Sequence, residues 1–501
     1  MKYFKYFFNL LLTLIIFAFF ILLIFNSQIK KLFFKPQEII GQKLEQLKND
    51  SDFEIILENL EIPWSIIFLN QNEILITERL GKIKILELKD KKLVKEFKIT
   101  QVKHIGEGGL LGTTLHPNFK ENNFIYFYYT TEKSGNLINR VERYTLKINA
   151  DLRRLNADLR RQDKNYYLTK DKIILDDIPA GRFHNGGRIK FGPDGYLYIT
   201  TGDAGNSENS QNINSLAGKI LRLKDDGSIP KDNPFKNAIF AYGIRNSQGI
   251  TWDDEGNLWS IDHGRSGIQT GLDEINLIQK GKNYGWPVIQ GNERMKEMES
   301  PVIHSEPNIT WAPADLIYYN NSLFFTGLRG EGLYQYDLIN KKLKVNFFQK
   351  FGRLRAITLG PDGYFYISTS NRDGRGYQRK GDDKIIKINP EIFFDFINYN
   401  LEGKNYKLLI ANEPLEWSRG LMFVKKTLNN KENKFDGMIF IFPDKQTRSF
   451  WNKNTFVDLD IYWLDDNKIV GKDFLPSIEK TKEIYTLISP APVNKVIEII
   501  K

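Results

Sequence analysis

The stretch "GPDGYLYITTGD" (residues 192–203) combines a turn rich in Asp and Gly with a strand of alternating residues. Such turn residues supply positive φ angles and local hydrogen bonds. An alternation with a period of two indicates a half-buried β-strand. A nearly identical stretch, "GPDGYFYISTSN" (360–371), lies further along the chain. The sequence therefore predicts a fold that reuses one β-hairpin.

Related phrases occur four more times: "LNQNEILITER" (69–79), "HPNFKENNFIYFYYT" (116–130), "DDEGNLWSIDHG" (253–264) and "YYNNSLFFTGLRG" (318–330). Six copies with few helical patterns between them predict an all-β fold, a six-bladed β-propeller of four-stranded blades. A β-sandwich with recurring hairpins is the alternative. In a propeller, functional residues lie on loops at one face around the central channel.

The chain has 501 residues, which is enough for more than one domain. The repeated phrase stops after about residue 390, so we expect a domain boundary near 390–405. The predicted division is a membrane anchor (1–35), a linker (36–51), the propeller (52–392) and a small β-rich domain (405–501). A tandem duplication at 149–163 reads as a charged surface insertion.

The N-terminal segment "FFNLLLTLIIFAFFILLIFN" (7–26) contains no charged residue. As a helix it would span about 30 Å, the thickness of a bilayer core. It is longer than the apolar core of most signal peptides, and no small-residue cleavage site follows it. We therefore expect an uncleaved N-terminal transmembrane helix. Lysines flank both ends, so the positive-inside rule does not fix its orientation.

The net charge of +10 arises from 71 basic residues scattered among 61 acidic ones. No zinc-finger or RNA-binding signature accompanies them, so nucleic acid is not an expected partner. The chain contains no cysteine. This excludes disulfides, cysteine metal sites, a cysteine nucleophile and covalent attachment of c-type haem.

Several segments, in order, resemble the soluble quinoprotein glucose/sorbosone dehydrogenase family over about residues 52 to 390. They are "LEIPWSIIF" (60–68), "GEGGLLGTTLHPNF" (106–119), "RFHNGG" (182–187), "AYGIRNSQGITWD" (241–253), "DEINLIQKGKNYGWP" (273–287), "WAPADL" (311–316), "GLRGEGL" (327–333) and "GRLRAITLGPDG" (352–363). The resemblance implies a six-bladed propeller with pyrroloquinoline quinone (PQQ) and calcium. It further implies an aldose sugar dehydrogenase that oxidises the anomeric carbon to a lactone by hydride transfer to PQQ.

The resemblance implies that His184 is the base that takes the hydroxyl proton and that Asp203 orients it. A neutral imidazole suits this role. Arg245 and Asn246 match the pair expected over the reactive quinone carbonyl, where a cation stabilises negative charge on oxygen.

PQQ carries three carboxylates, which planar arginine side chains bind well. Arg353 and Arg355 are two apart, so on a strand both would face one side. Arg329 stands where the family has a lysine. Glu107 matches a further polar contact with the cofactor.

For calcium, the resemblance implies that the carbonyls of Gly264 and Arg265 hold the PQQ-bound ion. Glu274 and the Tyr284 carbonyl match a second, structural calcium site. Oxygen ligands of this kind suit Ca²⁺. Arg265 departs from the family's usual proline. Phe183 replaces an acid of the glucose enzyme, so we expect a broader aldose specificity.

Near the C-terminus, "LEWSRGLMF" (415–423) and "GMIFIFPDKQTRSFWNKNTFVDLDIYWLDDNKIV" (437–470) resemble a domain of unknown function, family 192. Within it, "FWNKNT" offers Trp451, Asn452, Lys453 and Asn454 either for a small polar ligand or for structural turns.

These observations predict a membrane-anchored enzyme outside the cytoplasm, in the periplasm or on the outer cell surface. It would take electrons from an aldose and pass them to an acceptor that the sequence does not identify. Two alternatives remain. One is a non-catalytic propeller that binds sugar or protein, since fold does not imply function. The other is a calcium-dependent propeller lactonase.

Overall fold

The computed structural model describes residues 53–148, 166–266, 271–424 and 435–501. Within these ranges the protein is almost entirely β, as the sequence predicts. The α-helices that they contain are short: α1 (Phe119–Asn122), α2 (Glu208–Gln211), α3 (Pro414–Arg419) and α4 (Ile478–Thr481). A 3₁₀ turn covers Pro390–Phe393.

Six four-stranded antiparallel sheets follow one another along the chain. The first three contain β2–β5 (Pro63–Asn70, Glu73–Glu78, Lys82–Glu87, Lys92–Lys98), β6–β9 (Leu110–Leu115, Phe124–Lys133, Asn136–Ile148, Tyr166–Pro179) and β10–β13 (Ile189–Phe191, Leu197–Thr200, Lys219–Leu223, Ile239–Tyr242). The next two contain β14–β17 (Ser247–Trp252, Leu258–Asp262, Glu274–Ile278, Ile303–His304) and β18–β21 (Pro313–Tyr319, Ser322–Gly327, Leu333–Asp337, Leu343–Asn346). The sixth contains β22–β24 (Leu354–Leu359, Phe365–Thr369, Ile385–Ile388) and β1 (Phe53–Leu57).

Every copy of the repeated phrase lies at the connection between the first and second strands of one sheet. In the third sheet, the Asp194 carboxylate accepts hydrogen bonds from the Tyr196 amide at 3.2 Å and the Tyr198 hydroxyl at 2.9 Å. Gly195 has φ +77°. Asp362 repeats both bonds in the sixth sheet. The local hydrogen bonds and positive φ angles that the sequence predicts for these turns are therefore found in these two hairpins.

The first strands of the sheets converge. β2 contacts both β6 and β22, and β18 contacts both β14 and β22. Arg188, just before β10, donates to the Gln248 carbonyl at 3.0 Å, Ser65 Oγ at 3.2 Å and the Ala314 carbonyl at 3.3 Å. One buried side chain thus joins three other sheets at the centre. The arrangement is propeller-like, and β1 completes the sixth sheet by pairing with β24.

A second unit follows residue 393. Its six-stranded sheet has the order β25 (Phe396–Leu401), β26 (Lys404–Ala411), β27 (Gly437–Gln446), β32 (Val493–Ile500), β29 (Leu459–Asp465) and β30 (Lys468–Leu475). A small pair, β28 (Ser449–Trp451) and β31 (Thr486–Ile488), packs beside it. The sheet begins at Phe396, before the predicted start at residue 405.

No helix in the described ranges has the length and apolar character needed to cross a membrane. The predicted span at 7–26 and the charged insertion at 149–163 lie outside those ranges.

Candidate active site

His184 lies in the loop between β9 and β10, with φ +56°. Its ring nitrogen Nδ1 is 2.7 Å from Asp203 Oδ1. Since an ionised carboxylate only accepts hydrogen bonds, Nδ1 carries the proton and Nε2 is the basic nitrogen of the neutral ring. A Cβ on Gly202 would lie 2.1 Å from the His184 carbonyl oxygen, so only glycine fits against this loop.

Asp203 is only 2% exposed. It also accepts hydrogen bonds from the Gly205 amide at 2.8 Å and from Trp286 Nε1 at 3.0 Å. Burial acts to raise its pKa, but the hydrogen bond and charge of His184, with these other donors, lower that pKa overall. Asp203 therefore stays ionised and fixes the orientation of the imidazole.

Arg245 and Asn246 follow β13, and the Asp262 carboxylate binds both of their backbone amides. The Arg245 guanidinium donates to Ser266 Oγ at 2.9 Å and lies 5.2 Å from the Trp286 ring centre. Burial lowers its pKa, and its Nε is buried without a hydrogen-bond partner among the described residues. Arg245 thus presents a positive group that its surroundings leave incompletely satisfied.

Asn246 takes a different position from its neighbour. Its Oδ1 accepts a hydrogen bond from the Gly186 amide at 3.0 Å, two residues beyond His184. The residue is 1% exposed and is not part of the cavity wall described below. The contact of Asn246 with the reactive carbonyl of PQQ stays a prediction.

A cavity of about 680 Å³ opens beside His184. Its wall brings together residues from strands and adjoining loops of all six sheets, including seven arginines and three carboxylates: Arg79, Arg245, Arg265, Arg329, Arg353, Arg355, Arg375, Glu107, Asp273 and Asp373. The positive excess suits an anionic ligand of small-molecule size.

Arg353 and Arg355 both border this cavity, as expected from their spacing. Arg353 donates from Nε and Nη2 to Asp373 Oδ2 at 3.0 and 2.8 Å. Arg355 donates instead to neutral groups, Gln248 Oε1 at 3.0 Å and Ser370 Oγ at 3.4 Å. Burial, with the charge of Arg79, lowers the Arg355 pKa to about 9. A ligand carboxylate would relieve this buried charge.

Arg329 borders the same cavity, and burial lowers its pKa. The arginines predicted to bind a cofactor are therefore brought together. Because guanidinium and carboxylate groups pair well, this part of the wall fits a ligand with several carboxylates.

Of the predicted calcium ligands, Gly264 and Arg265 border the cavity, whereas Glu274 and Tyr284 lie outside it. In the described ranges, no three His, Asp or Glu side chains gather as they would around a metal ion. Burial and the Asp262 charge raise the Glu274 pKa to about 8. A cation would favour its ionised form.

Sequence reasoning missed several wall residues. His263, next to the predicted calcium ligands, has a buried Nε2 without a partner among the described residues. Asp273 Oδ1 binds the Gly264 amide at 2.8 Å, and Oδ2 binds the Trp311 amide at 2.6 Å. Asp373 and Arg375 lie just beyond the repeated phrase that ends at Asn371, in the loop after β23. Their place in the loop that follows a repeated phrase was the available signal.

Fold and cavity together define an all-β, propeller-like protein with a histidine–aspartate pair beside an arginine-rich cavity. The sequence model of the glucose/sorbosone dehydrogenase family matches residues 60–379, and that of an uncharacterised conserved domain, domain of unknown function 192, matches residues 397–501. The chain belongs to the glucose/sorbosone dehydrogenase family and carries this second domain at its C-terminus.

The chain is 28% identical over 369 residues to the aldose sugar dehydrogenase of Escherichia coli, covering 67% of this chain and 92% of that protein. The PQQ-bound structure of aldose sugar dehydrogenase from Streptomyces coelicolor matches with 31% identity and a TM-score of 0.60, covering 67% of this chain and 97% of that one. The human Hedgehog-interacting protein is 29% identical over 239 residues, covering 42% of this chain and 33% of that protein.

Proposed function

We propose that this protein is a PQQ-dependent aldose dehydrogenase built on a six-bladed propeller. The observation that carries the proposal is the His184–Asp203 hydrogen bond of 2.7 Å beside a cavity with seven arginines. The six four-stranded sheets and the pairing of β1 with β24 support the blade count.

The residues present fit PQQ. Arg329, Arg353 and Arg355 would hold its carboxylates, and Arg245 would lie near its reactive carbonyl. When bound, PQQ supplies the two-electron acceptor for oxidation of an aldose to a lactone. His184 Nε2 takes the proton of the anomeric hydroxyl, while Asp203 holds the opposite ring nitrogen.

Calcium belongs to the same proposal. Gly264 and Arg265 border the cavity, and their backbone carbonyls would be ligands of the oxygen type that Ca²⁺ prefers. Glu274, with its raised pKa, and the Tyr284 carbonyl would form the second, structural site.

We also propose that residues 7–26 anchor the enzyme and that its catalytic unit (52–392) and C-terminal domain (405–501) lie outside the cytoplasm. Electrons would then pass from the aldose to a membrane or soluble acceptor. The uncharged 20-residue stretch supports the anchor, because as a helix it is long enough to cross the core of a bilayer.

The likeness to the Hedgehog-interacting protein supports a second candidate, a propeller that binds a protein or sugar without catalysis. The two candidates differ in what they require of His184 and the arginines. A binding protein has no need of an oriented base beside a site for several carboxylates.

The test uses the full-length protein, purified without cofactor, with calcium added and PQQ titrated. We expect stoichiometric PQQ binding and reduction of a dye by a panel of aldoses. His184→Ala should abolish dye reduction and keep PQQ binding. Chelation of calcium before PQQ is added should prevent activity. Absence of PQQ binding at micromolar concentration would leave the binding protein as the better conclusion, and hydrolysis of lactones with calcium alone would favour a lactonase.

A further inference from the structure

Glu107 has both carboxylate oxygens engaged by the protein itself. Oε2 accepts a hydrogen bond from the His184 backbone amide at 3.0 Å, and Oε1 accepts one from Arg375 Nη1 at 2.7 Å. Despite burial, which acts to raise it, the Glu107 pKa is lowered to about 2, mainly by Arg375 and the His184 amide. An ionised carboxylate repels the carboxylates of PQQ, so direct cofactor binding is a poor use of this group.

The loop that carries His184 needs such support. A φ of +56° is uncommon for a residue other than glycine and persists only where neighbours hold it. The Glu107 amide donates to the Arg182 carbonyl at 2.8 Å, so Glu107 forms hydrogen bonds with the loop on both sides of Phe183. A Cβ on Gly106 would lie 2.1 Å from the same carbonyl oxygen, so glycine is required for this approach.

Arg375 completes the arrangement at the cavity mouth. Its side chain is 45% exposed, and its guanidinium carbon lies 5.9 Å from the centre of the Phe183 ring. An ion pair this exposed contributes little to stability. Its effect is geometric, because it orients the Glu107 carboxylate toward the His184 amide.

We propose that Glu107, oriented by Arg375, is a positioning residue that fixes the backbone and imidazole of His184, in place of the cofactor contact implied by the family resemblance. The catalytic consequence rests on the proposed dehydrogenase function. A base displaced by 1 Å can cost about 10²-fold in rate.

Kinetics of the full-length protein loaded with PQQ and calcium provide the first test. Glu107→Ala should lower kcat about 10²-fold, with KM and PQQ affinity within about twofold of the original protein. Glu107→Gln keeps an acceptor for the His184 amide and should recover part of kcat. Arg375→Ala, an exposed change that leaves the fold intact, should lower kcat about tenfold. Glu132→Gln, which removes the exposed ion pair with Lys103, is the matched control and should leave kcat, KM and PQQ affinity unchanged.

Weakened PQQ binding with unchanged kcat at saturating PQQ would overturn the proposal and make Glu107 a cofactor contact. Unchanged kcat in Glu107→Ala and Arg375→Ala would overturn it as well.

The second test needs no activity. The chain contains only five histidines, so its ¹³C-labelled histidine ring spectrum is simple. In the cofactor-free protein, Glu107→Ala and Arg375→Ala should broaden or duplicate the His184 signal, assigned through its loss in His184→Asn, and leave distant His116 and His304 unchanged. A single, sharp, unshifted His184 signal in both variants would overturn the proposal. If the original protein neither binds PQQ nor oxidises aldoses, the proposed function fails, yet this spectrum still decides whether Glu107 positions His184.

Discussion

The reactive groups of the cavity depend on the residues behind them. Asp203 accepts from His184 and from Trp286, and Trp286 also lies beside the Arg245 guanidinium. The base that would take the aldose proton and the cation that would lie near the PQQ carbonyl therefore share Trp286 as a neighbour. A change to one member of this set should affect orientation before it affects binding.

Asp203→Asn tests this dependence. The amide loses the negative charge and can present an N–H to Nδ1, which would move the ring proton to Nε2 and block the base. We expect kcat to fall by about 10² to 10⁴-fold, with PQQ binding kept. Steady-state kinetics at saturating PQQ measure the loss. A kcat within threefold of the original would show that His184 needs no carboxylate partner.

Arg355→Met should change binding and stability in opposite directions. Its buried guanidinium has neutral partners, so its removal should weaken PQQ binding about 10 to 10²-fold, as for one lost charged hydrogen bond. The cofactor-free protein should become more stable, because an uncompensated buried charge disappears. PQQ titration and thermal unfolding report the two effects. Arg143→Met, which removes the ion pair with Asp171, is the control, and PQQ affinity should be unchanged there.

Among the elements, the hairpins were accessible to sequence reasoning because their signal is local. Asp194 and Asp362 each bond within four residues, and the phrase that contains them shows it. The pairing of β1 with β24 joins Phe53 to Ile388, and no local pattern reports it.

The site divides in the same way. The common orientation of Arg353 and Arg355, at the start of β22, could be predicted from the period of two in a strand. The hydrogen bonds of Glu107 with the His184 amide and with Arg375 could not be predicted, because they join loops from distant parts of the chain. Family resemblance transfers residue positions, whereas the partner of each carboxylate oxygen depends on which loops the fold brings together.

Gly202→Ala tests how tightly the strand end and the His184 loop pack. The new Cβ would lie 2.1 Å from the His184 carbonyl oxygen, so the loop must move. We expect a loss of about 1 to 3 kcal/mol in the free energy of unfolding and about 10²-fold in kcat. Gly195→Ala, in open space at φ +77°, strains a turn away from the site. It should reduce stability without changing kcat, and equal kcat losses in both variants would contradict a local effect.

At the scale of the whole molecule, ionisable groups are buried in both units. The cavity of the first holds several cations suited to an anionic ligand. The core of the second holds one carboxyl, Glu498, which is 4% exposed and has an Oε2 without a partner among the described residues. Burial raises the pKa of Glu498 to about 8. The stability of the second unit should therefore depend on pH through Glu498, as that of the first should through Glu274, whose pKa is also raised to about 8.

The direction of this pH dependence follows from the protons that the folded and unfolded states bind. Between the ordinary glutamate pKa near 4.5 and about 8, the folded protein holds a proton on Glu498 that the unfolded chain has released. Stability must then fall as pH rises through this window, by about 1.4 kcal/mol for each unit of pKa difference. Thermal unfolding from pH 5 to 8.5 should show the unfolding transition of the second unit moving to lower temperature. Glu498→Gln should reduce this pH dependence of the midpoint temperature. The exposed Glu479→Gln is the control and should keep the slope. A slope retained in Glu498→Gln would assign the pH dependence to another group.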